Sequence, residues 1–150
     1  MRLKRILVPV DLSDPSLCAL DYATELAKPF KAGLTVLLVV EPLYYSGGLD
    51  LILEEQQREA REGLARLERR LQKRTVQART LLRTGIPYKV IDYEARKQKI
   101  DLIVMGTHGR TGVAHMLIGS VAEKVVRTAQ CPVLTVRGAV RKRTTTKRVR

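Results

Sequence analysis

The chain is 150 residues long, 45% hydrophobic and 29% charged, a balance that fits one compact domain with a buried core and predicts no second. It has no Trp and a single Phe, so Leu, Val, Ile and Ala must fill the core, and the composition favours no aromatic platform for stacking nucleic-acid bases. The formal net charge of +13 is unevenly spread: residues 137–150 hold seven basic side chains and no acidic one, leaving 21 basic against 15 acidic, a modest +6, for the rest.

From the amino terminus, Met1-Arg2-Leu3-Lys4-Arg5-Ile6 runs into a strand-like segment, residues 5–10, without the apolar length of a signal peptide. No apolar run nears the roughly 18 residues of a membrane span, so no membrane partner and a cytoplasmic location are expected. Pro9 lacks an amide donor and suits the end of this strand. Ser13 is expected to cap a first helix with Pro15 in its opening turn, and Leu17, Leu20, Ala23 and Ala27 make that helix apolar enough to pack on a sheet. Residues 34–40 are continuously apolar, as in a strand covered on both faces, and Glu41-Pro42 ends them.

After the turn Tyr44-Tyr45-Ser46-Gly47-Gly48, a charged helix is predicted over residues 49–73, with Ala60, Leu64, Leu67 and Leu71 recurring at helical spacing. Residues 76–82 read as a third strand ahead of Gly85; Pro87 opens a third helix whose Val90, Ile91 and Ala95 face inward. Residues 100–105 form a fourth strand. Gly119-Ser120 begins a fourth helix that buries Val121, Val125 and Ala129, and residues 133–136 form a fifth strand.

Strands that alternate with helices specify an α/β fold: a single doubly wound, Rossmann-like sheet of five parallel strands with helices on both faces. Right-handed crossovers make 3-2-1-4-5 the natural strand order. In such a sheet a ligand sits beyond the carboxyl ends of the strands where the winding reverses, here between strands one and four. That rule points to Val10 and Asp11 and to the segment from Gly106 onward.

The segment 106–120 is punctuated by Gly106, Gly109, Gly112 and Gly119 and ends at Ser120, where a helix begins. Glycine permits positive φ and close backbone approach to an anion, and a helix amino terminus favours phosphate. The same glycines could serve only to turn the chain, and Ser120 only to cap it; the position at the switch point favours the ligand reading. Two other phosphate motifs are missing: there is no Gly-x-x-x-x-Gly-Lys-Ser/Thr run, and the turn Val10-Asp11-Leu12-Ser13 lacks Gly-x-Gly-x-x-Gly.

Gly106-x-x-Gly109, nine residues and then Gly119-Ser120, followed by Val121-Ala122-Glu123-Lys124-Val125 and Cys131-Pro132-Val133-Leu134, resembles the ATP-binding branch of the universal stress protein family. The start Ile6-Leu7-Val8-Pro9-Val10-Asp11 is similar to that family's first strand, and the likeness spans nearly all of residues 1–137. The resemblance implies ATP as ligand, with Pro9, Val10 and Asp11 near the nucleoside and the Val39 backbone reading adenine. It also implies Gly106, Gly109, Gly119 and Ser120 as ribose and phosphate cradle, with Met105 and Val121 at its border. Leu38 stands where the family commonly carries a histidine. Homodimers paired through the last strand, by Val133, Leu134 and Val136, are implied as well.

Arg110 is a candidate partner for the γ-phosphate because a guanidinium matches phosphate oxygens. No Walker lysine, catalytic triad order or close acid pair accompanies it, so the reading is an ATP-binding regulatory protein and not a turnover enzyme, with slow hydrolysis the enzymatic alternative. Any magnesium would be carried chiefly by the nucleotide, since Asp11 is the main carboxylate of the predicted site. Cys18 and Cys131 fit no zinc or disulfide spacing and read as inert thiols. Residues 1–137 are expected to form the domain and residues 138–150 a basic, disordered tail, which gives the competing reading of a nucleic-acid-associated protein.

Overall fold

The computed structural model describes residues 3–42, 49–108 and 118–138; the predicted turn at residues 44–48 and the tail beyond Gly138 lie outside them. Five strands, β1 (Arg5–Val10), β2 (Gly33–Val40), β3 (Ala78–Thr84), β4 (Leu102–Gly106) and β5 (Val133–Val136), form one parallel sheet in the order β3-β2-β1-β4-β5. Four helices connect them: α1 (Asp14–Phe30), α2 (Leu49–Gln72), α3 (Pro87–Lys97) and α4 (Ser120–Thr128). This is the doubly wound architecture and the strand order expected from the alternation of elements.

Strand alternation divides the core in two. Ile6, Val8 and Val10 of β1 and Leu34, Val36, Leu38 and Val40 of β2 meet Ala19, Leu20, Ala23 and Ala27 of α1 and Ala60, Leu64, Leu67 and Leu71 of α2. Leu7, Leu37, Ile103 and Met105 project the other way, onto Ile91 and Ala95 of α3 and Ala122 and Val125 of α4. Both faces of the central strands are therefore buried, which is why their sequences are continuously apolar.

Two strands start two residues later than expected. β3 begins two residues late, at Ala78, and continues through Arg83 to Thr84, because polar side chains on this edge strand are used beneath α3. Arg83 Nε donates to Glu94 at 2.6 Å, and Arg79 donates to Thr35 Oγ1 at 3.1 Å and to Gln98 at 2.5 Å. β4 starts at Leu102 because Ile100 and Asp101 serve the preceding turn. The Ile100 amide donates to the Ala95 carbonyl at 2.9 Å, and Asp101 Oδ2 accepts the amides of Lys4 and Arg5 at 2.9 and 2.8 Å.

Ser13 also departs from its expected role. It occupies the N-cap of α1, but its hydroxyl bonds the Asp11 carboxylate and caps no helix amide. The helix start is held instead by Pro15 in its first turn and by the Leu17 amide on the Ser13 carbonyl, 2.9 Å.

Candidate functional site

A cleft of about 330 Å³ opens at the carboxyl end of the sheet, where β1 and β4 lead their helices to opposite faces. Its volume falls within the range of small-molecule sites. Pro9, Val10 and Asp11 enter it from the end of β1, Val39 from β2, Met105 and Gly106 from β4, and Gly119, Ser120 and Val121 from the start of α4. The fold thus brings nine of the predicted site residues to one place. Gly109 and Arg110 lie outside the described residues.

The β1–α1 turn fixes Asp11. Its Oδ1 accepts the Ser13 amide at 3.0 Å and the Ser13 hydroxyl, while its own amide donates to Ser16 Oγ at 3.3 Å. Ser16, buried, donates in turn to the Ser13 carbonyl at 2.9 Å. The carboxylate is therefore oriented by its own turn, an Asx arrangement.

The β4–α4 side is pinned at its base. The Gly119 amide donates to the Thr107 carbonyl at 2.6 Å, and the Thr107 amide donates to the Val136 carbonyl of β5 at 3.0 Å. The Gly119 amide is consequently spent within the protein. The first helix bond of α4 runs from the Glu123 amide to the Gly119 carbonyl, 2.9 Å, so the amides of Ser120, Val121 and Ala122 have no acceptor within the helix. All three residues line the cleft, at the positive end of the helix dipole.

The site glycines act differently from expectation. Gly106 and Gly119 do not adopt positive φ: Gly119 is extended, at φ −68° and ψ 154°, and Gly85 is the positive-φ glycine of the described chain. A Cβ on Gly106 would instead sit 3.0 Å from the Pro15 carbonyl oxygen and 3.3 Å from that of His108. Glycine there lets the first turn of α1 lie against the end of β4.

Several lining residues were not read from the sequence. Ser16, Glu41, Pro87, Ile91 and Thr107 also face the cleft. Glu41 and Pro87 were legible by topology, since each directly follows or precedes an element at the carboxyl end of the sheet; Thr107 and Ser16 become visible only through their backbone partners. Lys124 of α4 lies 4.9 Å from the Tyr88 ring of α3, linking the two helices whose first residues line the cleft. His108 Nδ1 is 3.0 Å from Thr107 Oγ1. Among the described lining residues the charged side chains are the carboxylates of Asp11 and Glu41, and none is Lys or Arg.

The cysteines lie elsewhere and are unpaired and half-buried; burial pushes the Cys131 thiol up, away from reactive thiolate. Among the described residues no cluster of three His, Cys, Asp or Glu side chains could hold a metal, and no helix is long and apolar enough to cross a membrane.

A doubly wound α/β domain whose switch-point cleft is walled by a glycine-ended strand and a helix amino terminus belongs to the ligand-binding class of this fold. The universal stress protein family model matches residues 2–137, and the chain belongs to that family. It is 40% identical over 139 residues to the universal stress protein MJ0531 of Methanocaldococcus jannaschii, spanning 89% of this chain and 82% of that one. Among solved structures, universal stress protein UspA from Lactobacillus plantarum matches at TM-score 0.85 and 30% identity, covering 91% of this chain and 99% of that one. A universal stress protein in complex with cAMP shares the fold at TM-score 0.73 and 24% identity, covering 93% of this chain and 100% of that one.

Proposed function

We propose that this universal stress protein binds ATP in the switch-point cleft and acts as a nucleotide-dependent regulator. The observation that carries the reading is the placing of the first turn of α4, whose Ser120, Val121 and Ala122 amides have no acceptor within the helix, along a cleft that Asp11 and Val39 also line. The amides take the phosphates, Asp11 the ribose, and the Val39 backbone the adenine. Gly109 and Arg110, in the segment between Thr107 and Gly119, complete the phosphate side. The cAMP complex of a protein with the same fold supports an adenine nucleotide as the class of ligand.

Binding, and not rapid turnover, suits the described lining. Phosphoryl transfer needs concentrated positive charge and a group to position the nucleophile, whereas this lining supplies two carboxylates and a histidine engaged with Thr107. Magnesium enters with the nucleotide phosphates. Calorimetric titration of the purified chain with ATP tests the reading, alone and as Gly119→Val. Because Gly119 has ordinary extended φ and ψ, valine can adopt its backbone, and the new side chain stands at the phosphate end of the cleft. Weakening by about 10- to 100-fold is expected, the equivalent of about 1 to 3 kcal/mol of steric misfit. No measurable binding by the unaltered chain, or equal affinity for the variant, sinks the assignment.

A second copy is the favoured protein partner. β5 is an edge strand whose four residues are all half-buried, with Val133 supported from the α3–α4 side and Leu134 and Val136 from the α1–α2 side. Pairing two such edges satisfies their outward backbone groups.

A further inference from the structure

One backbone torsion beside the cleft is strained, and it is buttressed by a helix that stands behind the cleft wall. Leu12, the residue after Asp11, has φ 66°, where the Cβ of an L-residue crowds the backbone and bulky side chains are rare. The residues around it are tied together. Asp11 Oδ1 accepts the Ser13 amide at 3.0 Å, the Asp11 amide donates to Ser16 Oγ at 3.3 Å, and Ser16 Oγ donates to the Ser13 carbonyl at 2.9 Å. The first of these bonds closes a ring whose covalent path runs through Leu12, so the torsion of Leu12 and the direction of the Asp11 carboxylate are set together.

Packing on α2 offsets the strain. Leu12 is half-buried against the α1–α2 core. Gly63, buried, is the one glycine in the 24 residues of α2, and glycine is disfavoured in the middle of a helix. A Cβ there would overlap Leu12 Cδ1 and stand 3.3 and 3.4 Å from its Cδ2 and Cγ. The branched end of the leucine therefore lies in the hollow that the missing side chain leaves. Two locally unfavourable choices, a leucine at positive φ and a glycine inside a helix, meet at one contact, and each accounts for the other. Asp11 lines the cleft, whereas none of the described residues of α2 does.

We propose that Leu12 is a positioning residue for the nucleotide: docked in the Gly63 hollow, it holds the turn in which Asp11 meets the ribose. The inference rests on the ATP reading and adds to it the element that sets the sugar contact. Left-handed backbone is disfavoured for a residue with a Cβ by about 5- to 30-fold in population. A chain that loses the leucine packing but keeps a Cβ at position 12 therefore adopts the competent turn for a smaller fraction of the time, and its apparent affinity falls with that fraction. Asparagine enters the left-handed region more readily, so it supports the turn without filling the hollow.

The experiment titrates ATP and 2′,3′-dideoxy-ATP, which lacks both ribose hydroxyls, into the unaltered chain, Leu12→Ala, Leu12→Asn and Asp11→Asn. Melting curves fix a temperature at which each is folded, and Gly63→Val, which closes the hollow from the α2 side, gives a second route to the same turn. The unaltered chain is expected to prefer ATP over the dideoxy analogue by about tenfold, as hydrogen bonds to a carboxylate warrant. Asp11→Asn should lose most of that preference. Leu12→Ala and Gly63→Val should cut it by about three- to tenfold, and Leu12→Asn should keep it within about twofold. Affinity for the dideoxy analogue should stay constant throughout, which separates a lost sugar contact from a loosened fold. A preference in Leu12→Ala equal to that of the unaltered chain overturns the proposal. So does a parallel loss of both ligands, or an equal fall in Leu12→Asn, which assigns the effect to packing and not to the left-handed turn. An unaltered chain that binds both ligands equally overturns the ribose contact, and the proposal with it, while ATP binding stands; one that binds neither overturns the ATP reading itself.

Discussion

Leu12 follows Asp11 with a φ of 66°, a left-handed conformation that costs a residue bearing a Cβ about 1 to 2 kcal/mol. Lys31 and Lys99 share the sign, but both terminate helices, where such geometry is routine. Leu12 has a different cause: its side chain packs on the α1–α2 core, and a Cβ on Gly63 of α2 would lie 2.3 Å from Leu12 Cδ1. The hollow at Gly63 receives the leucine and holds the turn that orients Asp11. The two positions should therefore be coupled. Alone, Gly63→Ala is expected to change stability by less than about 0.5 kcal/mol, because Leu12 must swing its Cδ1 aside and that cost offsets the helix-propensity gain. In a Leu12→Gly background the same substitution is expected to stabilise by up to about 1 kcal/mol, because only the propensity gain remains. Urea denaturation of the four proteins measures this, and an equal Gly63→Ala effect in both backgrounds refutes the coupling.

At the scale of elements, α3 is joined to β2 and β3 by polar contacts as well as by packing. Glu94 is 1% exposed, with Arg83 Nε on one carboxylate oxygen and Gln98 Nε2 on the other, both at 2.6 Å. Burial pushes its carboxyl up, but the hydrogen bonds from Gln98 and Arg83 outweigh that and hold its pKa below the ordinary value. A carboxyl with a lowered folded-state pKa contributes stability in full above its unfolded-state value, about 4.3, and loses it as pH falls through the folded value. Acidification below about pH 4 should accordingly lower the melting temperature. Glu94→Gln should destabilise by about 1 to 3 kcal/mol at neutral pH and flatten that acid limb. Melting curves across pH check it; an acid limb of unchanged steepness in the variant would rule Glu94 out as its source.

For the whole molecule, β5 is the sheet edge on which a second copy is expected to pair. The carbonyls of Pro132 and Val136 accept from Ile103 of β4 and from Thr107 just past its end, so by strand alternation the amides of Val133 and Thr135 point outward. Thr135→Pro removes one outward donor without touching the ladder to β4. Sedimentation at micromolar concentration is expected to give a dimer for the unaltered chain and a monomer for this variant. A monomeric unaltered chain, or a variant that remains dimeric, rejects edge pairing.

The amino-acid sequence by itself determined the element count, the parallel sheet and the strand order, because the apolar runs at residues 34–40 and the helical spacing of Ala60, Leu64, Leu67 and Leu71 encode which surfaces must be buried. It also determined the end of the sheet at which to look, since the switch point follows from topology. Tertiary structure alone decided how the named residues are used. Gly106 answers to the Pro15 carbonyl and not to a positive φ, the Gly119 amide is spent on Thr107, and Ser13 serves Asp11 instead of the helix. The exit of the tail at Gly138 against Pro15 is of the same kind. Burial patterns are local and periodic, so they can be read along the chain; a backbone contact across more than a hundred residues, such as Gly138 on Pro15, has no local signature and exists only once the sheet has closed around it.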